Sequence, residues 1–169
     1  MLEGDIIAYP TEAVYGLGCD PFNEQAVTRL LALKQRGVEK GLILLIAHWE
    51  QLFSLIDELP QALLLPVKNT WPGPVTWVFP KARHLPEWIT GSHDSIAIRM
   101  SAHPIARELC KDHPLVSTSA NQSGQPPATD LRSLCQQFPQ GIDAVFEGDL
   151  GGSSKPSDIF DVQTGARLR

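Results

Sequence analysis

Three cations stand close together in this chain: Lys34, Arg36 and, a few positions on, Lys40. Such a group suits a polyphosphate, with Arg36 supplying a planar fork and the lysines point charges. On an unbroken helix Lys34 and Arg36 point to nearly opposite sides. A helix that stops at Gly37 turns both toward one anion. The plain alternative is a solvated helix end, where cations suit the negative pole of the dipole. A second stretch, Leu115 to Gly124, reads as an apolar strand running into Ser117, Thr118, Ser119, Asn121 and Ser123, then a glycine. It places hydroxyl and amide groups at the carboxyl end of a strand, where ligands bind in open α/β sheets. The same residue types also make ordinary turns.

Arg99 lies inside the apolar run Ile96-Ala97-Ile98-Arg99-Met100. Arginine is seldom buried without a partner, so it faces solvent or meets a carboxylate, and a substrate carboxylate is a natural bidentate match. Gly151 to Ser157 can cradle an anion on backbone N–H groups. It is not a Walker A loop, because Pro156 and a strand follow where that motif needs a helix. Thr11, just past a strand end, can hydrogen-bond a small ligand, with Tyr15 packed on it. Against these stand several exclusions. The five histidines show no metal-binding spacing, no G-x-S-x-G elbow is present and no carboxylate pair forms a general acid/base dyad. Cations, hydroxyls and amides without a dedicated base suit phosphate-transfer chemistry, where positioning and charge stabilisation dominate.

The elements that must position these residues read as alternating strands and helices. Strands are expected over Ile6–Tyr9 (ended by Pro10), Leu42–Ala47, Val75–Phe79, Ser95–Met100, Leu115 onward and Ala144–Glu147. Thr11 to Gly18 reads as a loop. Asn23 is an N-cap for a helix that buries Val27, Leu30, Leu31 and Lys34. Further helices are expected over Trp49–Ile56, Gln61–Asn69 (with Pro66 badly placed), Pro104–Lys111 and Asp130–Gln137. Lys81 to Asp94 reads as irregular, and a closing hairpin turns at Thr164-Gly165. The expected class is α/β: one domain over 1–169, a mixed sheet with flanking helices.

At 169 residues with 43% hydrophobic and 20% charged content, the chain suits one soluble globular domain. A net charge of −5 argues against a general nucleic-acid coat, so RNA contact needs a local patch. Three widely spaced cysteines, Cys19, Cys110 and Cys135, form no CxxC pair and point to a reducing, cytoplasmic compartment. No apolar run reaches membrane-spanning length, and no signal peptide precedes the first strand.

Taken in order, Tyr9-Pro10-Thr11-Glu12-Ala13-Val14-Tyr15-Gly16-Leu17-Gly18, Lys34-Gln35-Arg36, Lys40-Gly41-Leu42, Trp71-Pro72-Gly73-Pro74-Val75-Thr76, Ser95-Ile96-Ala97-Ile98-Arg99 and Ser117-Thr118-Ser119-Ala120-Asn121 resemble the YrdC/TsaC family, the threonylcarbamoyl-AMP synthases. The match covers nearly the whole chain and looks closest to the short bacterial form. The resemblance implies a twisted α/β sheet with a concave electropositive cavity. It implies condensation of L-threonine, bicarbonate and ATP, with Mg²⁺, into L-threonylcarbamoyladenylate and pyrophosphate. The product then passes to partner proteins for threonylcarbamoyladenosine formation in tRNA. The family's K-x-R and S-x-N tetrad falls on Lys34, Arg36, Ser119 and Asn121. By the same resemblance Thr11, Arg99, Ser117 and Ser157 surround threonine, while Lys34, Arg36, Lys40, Ser95, Ser119 and Asn121 hold the nucleotide. No protein metal site is implied. Two departures are Gly37, where the family usually has proline, and the absence of the helix that commonly precedes the first strand. Two other readings stay open: a tRNA- or double-stranded-RNA-binding or ribosome-maturation factor without turnover, and a carbamoyl-transfer domain of the hydrogenase-maturation type.

Overall fold

The computed structural model describes residues 4–153 and 155–169. The first three residues, and Ser154 of the expected anion-cradling loop, lie outside the described residues. In chain order the elements are β1 (Ile7–Pro10), β2 (Tyr15–Gly18), α1 (Glu24–Lys34), β3 (Ile43–Ile46), α2 (Trp49–Leu55), α3 (Leu64–Thr70), β4 (Val75–Pro80), α4 (Glu87–Thr90), β5 (Ser95–Met100), α5 (Pro104–Leu109), β6 (Leu115–Ser119), α6 (Leu131–Gln137), β7 (Ala144–Val145) and β8 (Asp158–Asp161). The strands form one mixed sheet in the order β7-β1-β2-β6-β3-β5-β4-β8. β3 runs parallel to β5 and antiparallel to β6, which itself pairs antiparallel with β2.

Side chains alternate between the faces of a strand, so the pairing register sorts the sheet into two sides. Ile6, Ala8, Leu44, Ile46, Ile98 and Val116 belong to a large core shared with α1, α2, α3, α4 and α6. Ile7, Tyr9, Leu45 and Leu115 face the other way and pack with Ala106 and Cys110 of the α5 segment. That second face is covered at one end only. Farther along it Gly16 pairs with Ser119, and Ile43 lies between Ala97 and Ser117. The small residues Gly16, Ser117 and Ser119 leave room there, and each lines a cavity.

Local chemistry explains most boundaries. The Asn23 side chain accepts from Ala26 N at 3.0 Å and caps α1 as expected. Asp130 caps α6 through Ser133 N at 2.7 Å. Pro104 occupies the first turn of α5.

Several expectations are corrected. Pro10 does not end its strand before pairing but is the last residue of β1, opposite Tyr15; at a strand terminus its missing N–H costs nothing. The expected Thr11–Gly18 loop holds β2, whose two glycines hid any apolar alternation. α1 stops at Lys34 with Gln35 left-handed at φ 53°, ahead of Gly37, whose φ is −68°. Pro66 is accommodated because a 3₁₀ turn at Gln61–Leu63 precedes α3 and the proline falls in the first turn of α3, where N–H groups lack helical partners. The stretch taken as irregular contains α4. The closing hairpin forms at Gly165, with a single bridge between Phe160 and Arg167 in place of a full second strand.

Candidate functional site

A cavity of about 320 Å³ opens on the thinly covered face. Thr11, Val14 and Gly16 of the β1–β2 hairpin form one wall, and Ser117, Thr118 and Ser119 of β6 form the floor. Arg99 enters from β5, Arg36 from the segment after α1, Ser157 from the approach to β8, and Arg169 from the chain's last residue. Asn121 also lines it. A second cavity of about 310 Å³ adjoins it and shares Arg36, Leu42, Ile43 and Arg169. Lys40, Ser95, Ala97, Thr90 and His93 line this second space. The expected site residues therefore divide in two. Thr11, Arg99, Ser117, Ser119, Asn121 and Ser157 surround the first cavity, Lys40 and Ser95 the second, and Arg36 stands between them.

Lys34 lines neither cavity. Its side chain is buried, and Nζ donates to the carbonyl of Ser119 and, at 2.7 Å, to that of Asn121. The Lys34 carbonyl accepts from Ser123 N at 3.1 Å. The end of α1 and the turn after β6 are thus clamped in both directions. Within that turn Ser119 Oγ donates to Asn121 Oδ1 at 2.6 Å, and Asn121 Nδ2 donates to the carbonyls of Gln122 and Gln125, both at 2.9 Å. Burial, with the nearby charge of Arg36, pushes the Lys34 amine down to about 8.

Arg36 Nη2 donates to the Gly41 carbonyl at 3.1 Å, while its Nε is buried without a hydrogen-bond partner. Burial lowers its pKa, and the charge of Arg169 adds to that against an opposing Glu39. Arg169, one residue past the expected hairpin and not among the expected site residues, donates through Nη2 to the carbonyl of Ser157 at 3.1 Å and to its Oγ at 3.3 Å. Burial and the charge of Arg99 lower its pKa. Ser157 Oγ also lies 3.1 Å from Thr76 Oγ1. The only hint of Arg169 in the sequence was its place beyond the predicted turn, which says nothing about a site.

Three guanidinium groups thus meet around the two spaces, and no described lining residue is an Asp or Glu. Like charges held together in partly dry surroundings favour an anionic occupant. Arg99 does have a protein carboxylate at its side: Glu12 Oε2 is 3.4 Å from Arg99 Nη2. Sequence reasoning left open whether Arg99 met a carboxylate, and nothing in the sequence pointed to Glu12. Hydroxyls beside one arginine suit a small zwitterion or acid, and a second basic space suits phosphate. Among the described residues no group of three or more metal-ligating side chains exists. Because neither lining offers an Asp or Glu side chain, these residues do not fit a protein-held Mg²⁺.

A mixed sheet whose half-covered face holds two adjoining cavities, lined between them by Arg36, Arg99 and Arg169, defines an α/β protein with a basic cleft on one side of its sheet. The family model Sua5_yciO_yrdC, described as "Telomere recombination", matches residues 1–169. The chain is 54% identical over 167 residues to the threonylcarbamoyl-AMP synthase of Stutzerimonas stutzeri (strain A1501), covering 98% of this chain and 90% of that protein. It is 50% identical over 169 residues to the threonylcarbamoyl-AMP synthase of Coxiella burnetii (strain RSA 493 / Nine Mile phase I), covering 99% and 91%. The crystal structure of P. abyssi Sua5 complexed with L-threonine superposes with a TM-score of 0.89 at 37% identity, over 97% of this chain and 49% of that one. The chain belongs to the Sua5/YciO/YrdC family.

Proposed function

We propose that this chain is a threonylcarbamoyl-AMP synthase: it condenses L-threonine, bicarbonate and ATP into threonylcarbamoyl-AMP and pyrophosphate, a step toward threonylcarbamoyladenosine in tRNA. Relatives at 50–54% identity over nearly the full length carry that name, and a solved relative holds L-threonine. The observation that carries the residue assignments is the meeting of Arg99, Arg36 and Arg169 around two joined cavities with no Asp or Glu in their lining. In this reading Arg99 takes the threonine carboxylate, and Thr11, Ser117 and Ser157 surround the rest of the amino acid. Arg36, Lys40 and Ser95 take the nucleotide, with Arg169 between the two halves.

The chemistry follows from positioning. The threonine amine attacks bicarbonate, or carbon dioxide from it, giving a carbamate and releasing water. A carbamate oxygen then attacks the α-phosphorus, the bond to the β-phosphate oxygen breaks, and pyrophosphate leaves with the electron pair. Arg36, Lys40 and Arg169 neutralise the phosphate charge as it shifts to the leaving group. Ser119 and Asn121, in the turn that the Lys34 clamp ties to the end of α1, line the first cavity beside Arg36. Magnesium enters as the nucleotide's own complex. Cytoplasmic residence fits three unpaired cysteines, and among the described residues no helix is long and apolar enough to cross a membrane.

Pyrophosphate release in the presence of ATP, L-threonine and bicarbonate tests this. Release should require all three, and Arg99→Ala should raise the threonine KM tenfold or more, since a charged hydrogen-bonded pair is worth about 1.5–3 kcal/mol. Release independent of threonine, or none at all, refutes the reading.

A further inference from the structure

Glu12 follows Thr11 in the turn from β1 to β2, yet it does not line the cavity. Its carboxylate is buried, with 8% of the side chain exposed. Oε1 accepts from Ser101 Oγ at 2.7 Å and from Ala102 N at 2.9 Å. Ser101, fully buried, is itself fixed by His103 N at 3.1 Å. The Glu12 main chain is tied as well: its carbonyl accepts from Ser153 N at 2.8 Å, and that of Thr11 accepts from Gly151 N at 3.0 Å. One oxygen is therefore locked to the turn between β5 and α5, and the other, with no hydrogen bond of its own, stands 3.4 Å from Arg99 Nη2. Burial raises the carboxyl pKa, but the charge of Arg99 and the bonds from Ser101 and Ala102 outweigh it and hold Glu12 below the usual carboxylate range.

Arg99 needs such a neighbour. Its Nε is buried without a partner, and Arg169 brings a like charge close by. A long guanidinium side chain held on one side only by repulsion turns away from the ligand. We infer that Glu12, fixed by Ser101 and Ala102, is a positioning residue that aims the Arg99 guanidinium at the carboxylate of the bound amino acid. This rests on the reading of Arg99 given above. A buried ion pair adds little net stability over an apolar pair, so its contribution here is geometry. Removing the Glu12 charge strengthens the bare attraction of Arg99 for an anion but frees the guanidinium to rotate. Alignment wins, because a bidentate pair loses most of its strength when its angles open.

The test is steady-state pyrophosphate release by the full chain and three variants, with melting temperatures. Glu12→Gln should raise the threonine KM tenfold or more, with the ATP KM within twofold and kcat within threefold. L-threoninol, which lacks the carboxylate, should inhibit the parent and Glu12→Gln equally. Ser101→Ala should raise the threonine KM at least threefold, and it decides the question if Glu12→Gln does not fold. Arg99→Ala separates the two levels of the argument. An unchanged threonine KM in Arg99→Ala overturns the site reading and the inference with it. A raised KM there beside an unchanged or lowered one in Glu12→Gln overturns the inference alone. A fall in kcat at constant threonine KM shows a purely structural role and overturns it too.

Discussion

Lys34 carries a charge that the fold makes costly. The residue is 4% exposed, and its amine is shared between two carbonyls with Arg36 nearby. The unfolded chain binds this proton at the ordinary lysine value of 10.5, the folded chain at about 8. Between those values the unfolded state carries more protons, so this group's contribution to stability rises with pH. Below 8 the amine is charged in both states, and the full cost of burying it, about 3 kcal/mol, applies. Urea unfolding of the parent and Lys34→Met at pH 7, 8, 9 and 10 isolates the effect. The parent should gain on the variant by about 2–3 kcal/mol across the series, mostly above pH 8. A constant difference would show that the amine titrates as an exposed lysine does. A residue that reads in the sequence as a ligand group thus also braces the Ser119–Asn121 turn, and its spacing from Arg36 gave no sign of that.

The elements differ in how openly the sequence announces them. Asn23 and Asp130 are caps because short acceptor side chains precede apolar helical spacing, and that logic is local. β5 was legible residue for residue, since its apolar run is bounded by polar residues on both sides. β2 was not, because Gly16 and Gly18 leave only two side chains to show a period. Gly18 is there for tertiary reasons: a Cβ on it would meet the Val116 carbonyl at 2.5 Å and the Tyr9 ring at 3.0 Å. Backbone cannot move aside as a side-chain tip can. Gly18→Ala should push β2 off β6, costing about 2 kcal/mol and lowering the melting temperature by roughly 4–8 °C. Differential scanning fluorimetry reads this, and a shift below 1 °C would mean that the hairpin adjusts freely. The helix end at Gln35 was misplaced for a related reason. Glycine is the usual left-handed stop, but the chain takes that conformation at a glutamine and leaves Gly37 extended.

At the scale of the molecule, residues 11, 36, 99, 117, 157 and 169 share one cavity only because the strand order brings distant segments together. β6 sits between β2 and β3, and β8 reaches the far edge beside β4, so no window of sequence contains the site. The motifs could be read one by one, whereas the partnership of Glu12 with Arg99 and the arrival of Arg169 come from topology alone. Arg169 touches both cavities and holds Ser157, and its guanidinium lies between the space assigned to threonine and that assigned to the nucleotide. Its loss should therefore be felt by both substrates, unlike that of a residue on one side. Arg169→Ala should raise the KM for threonine and for ATP, each by about three- to tenfold, as expected for losing a hydrogen bond worth about 0.7–1.4 kcal/mol. Lys40→Ala should raise the ATP KM alone, and Arg99→Ala chiefly that of threonine. Initial-rate kinetics with each substrate varied in turn gives the pattern. If Arg169→Ala moved only one KM, the two cavities would be separate sites, and the single bipartite ligand proposed for them would have to be abandoned.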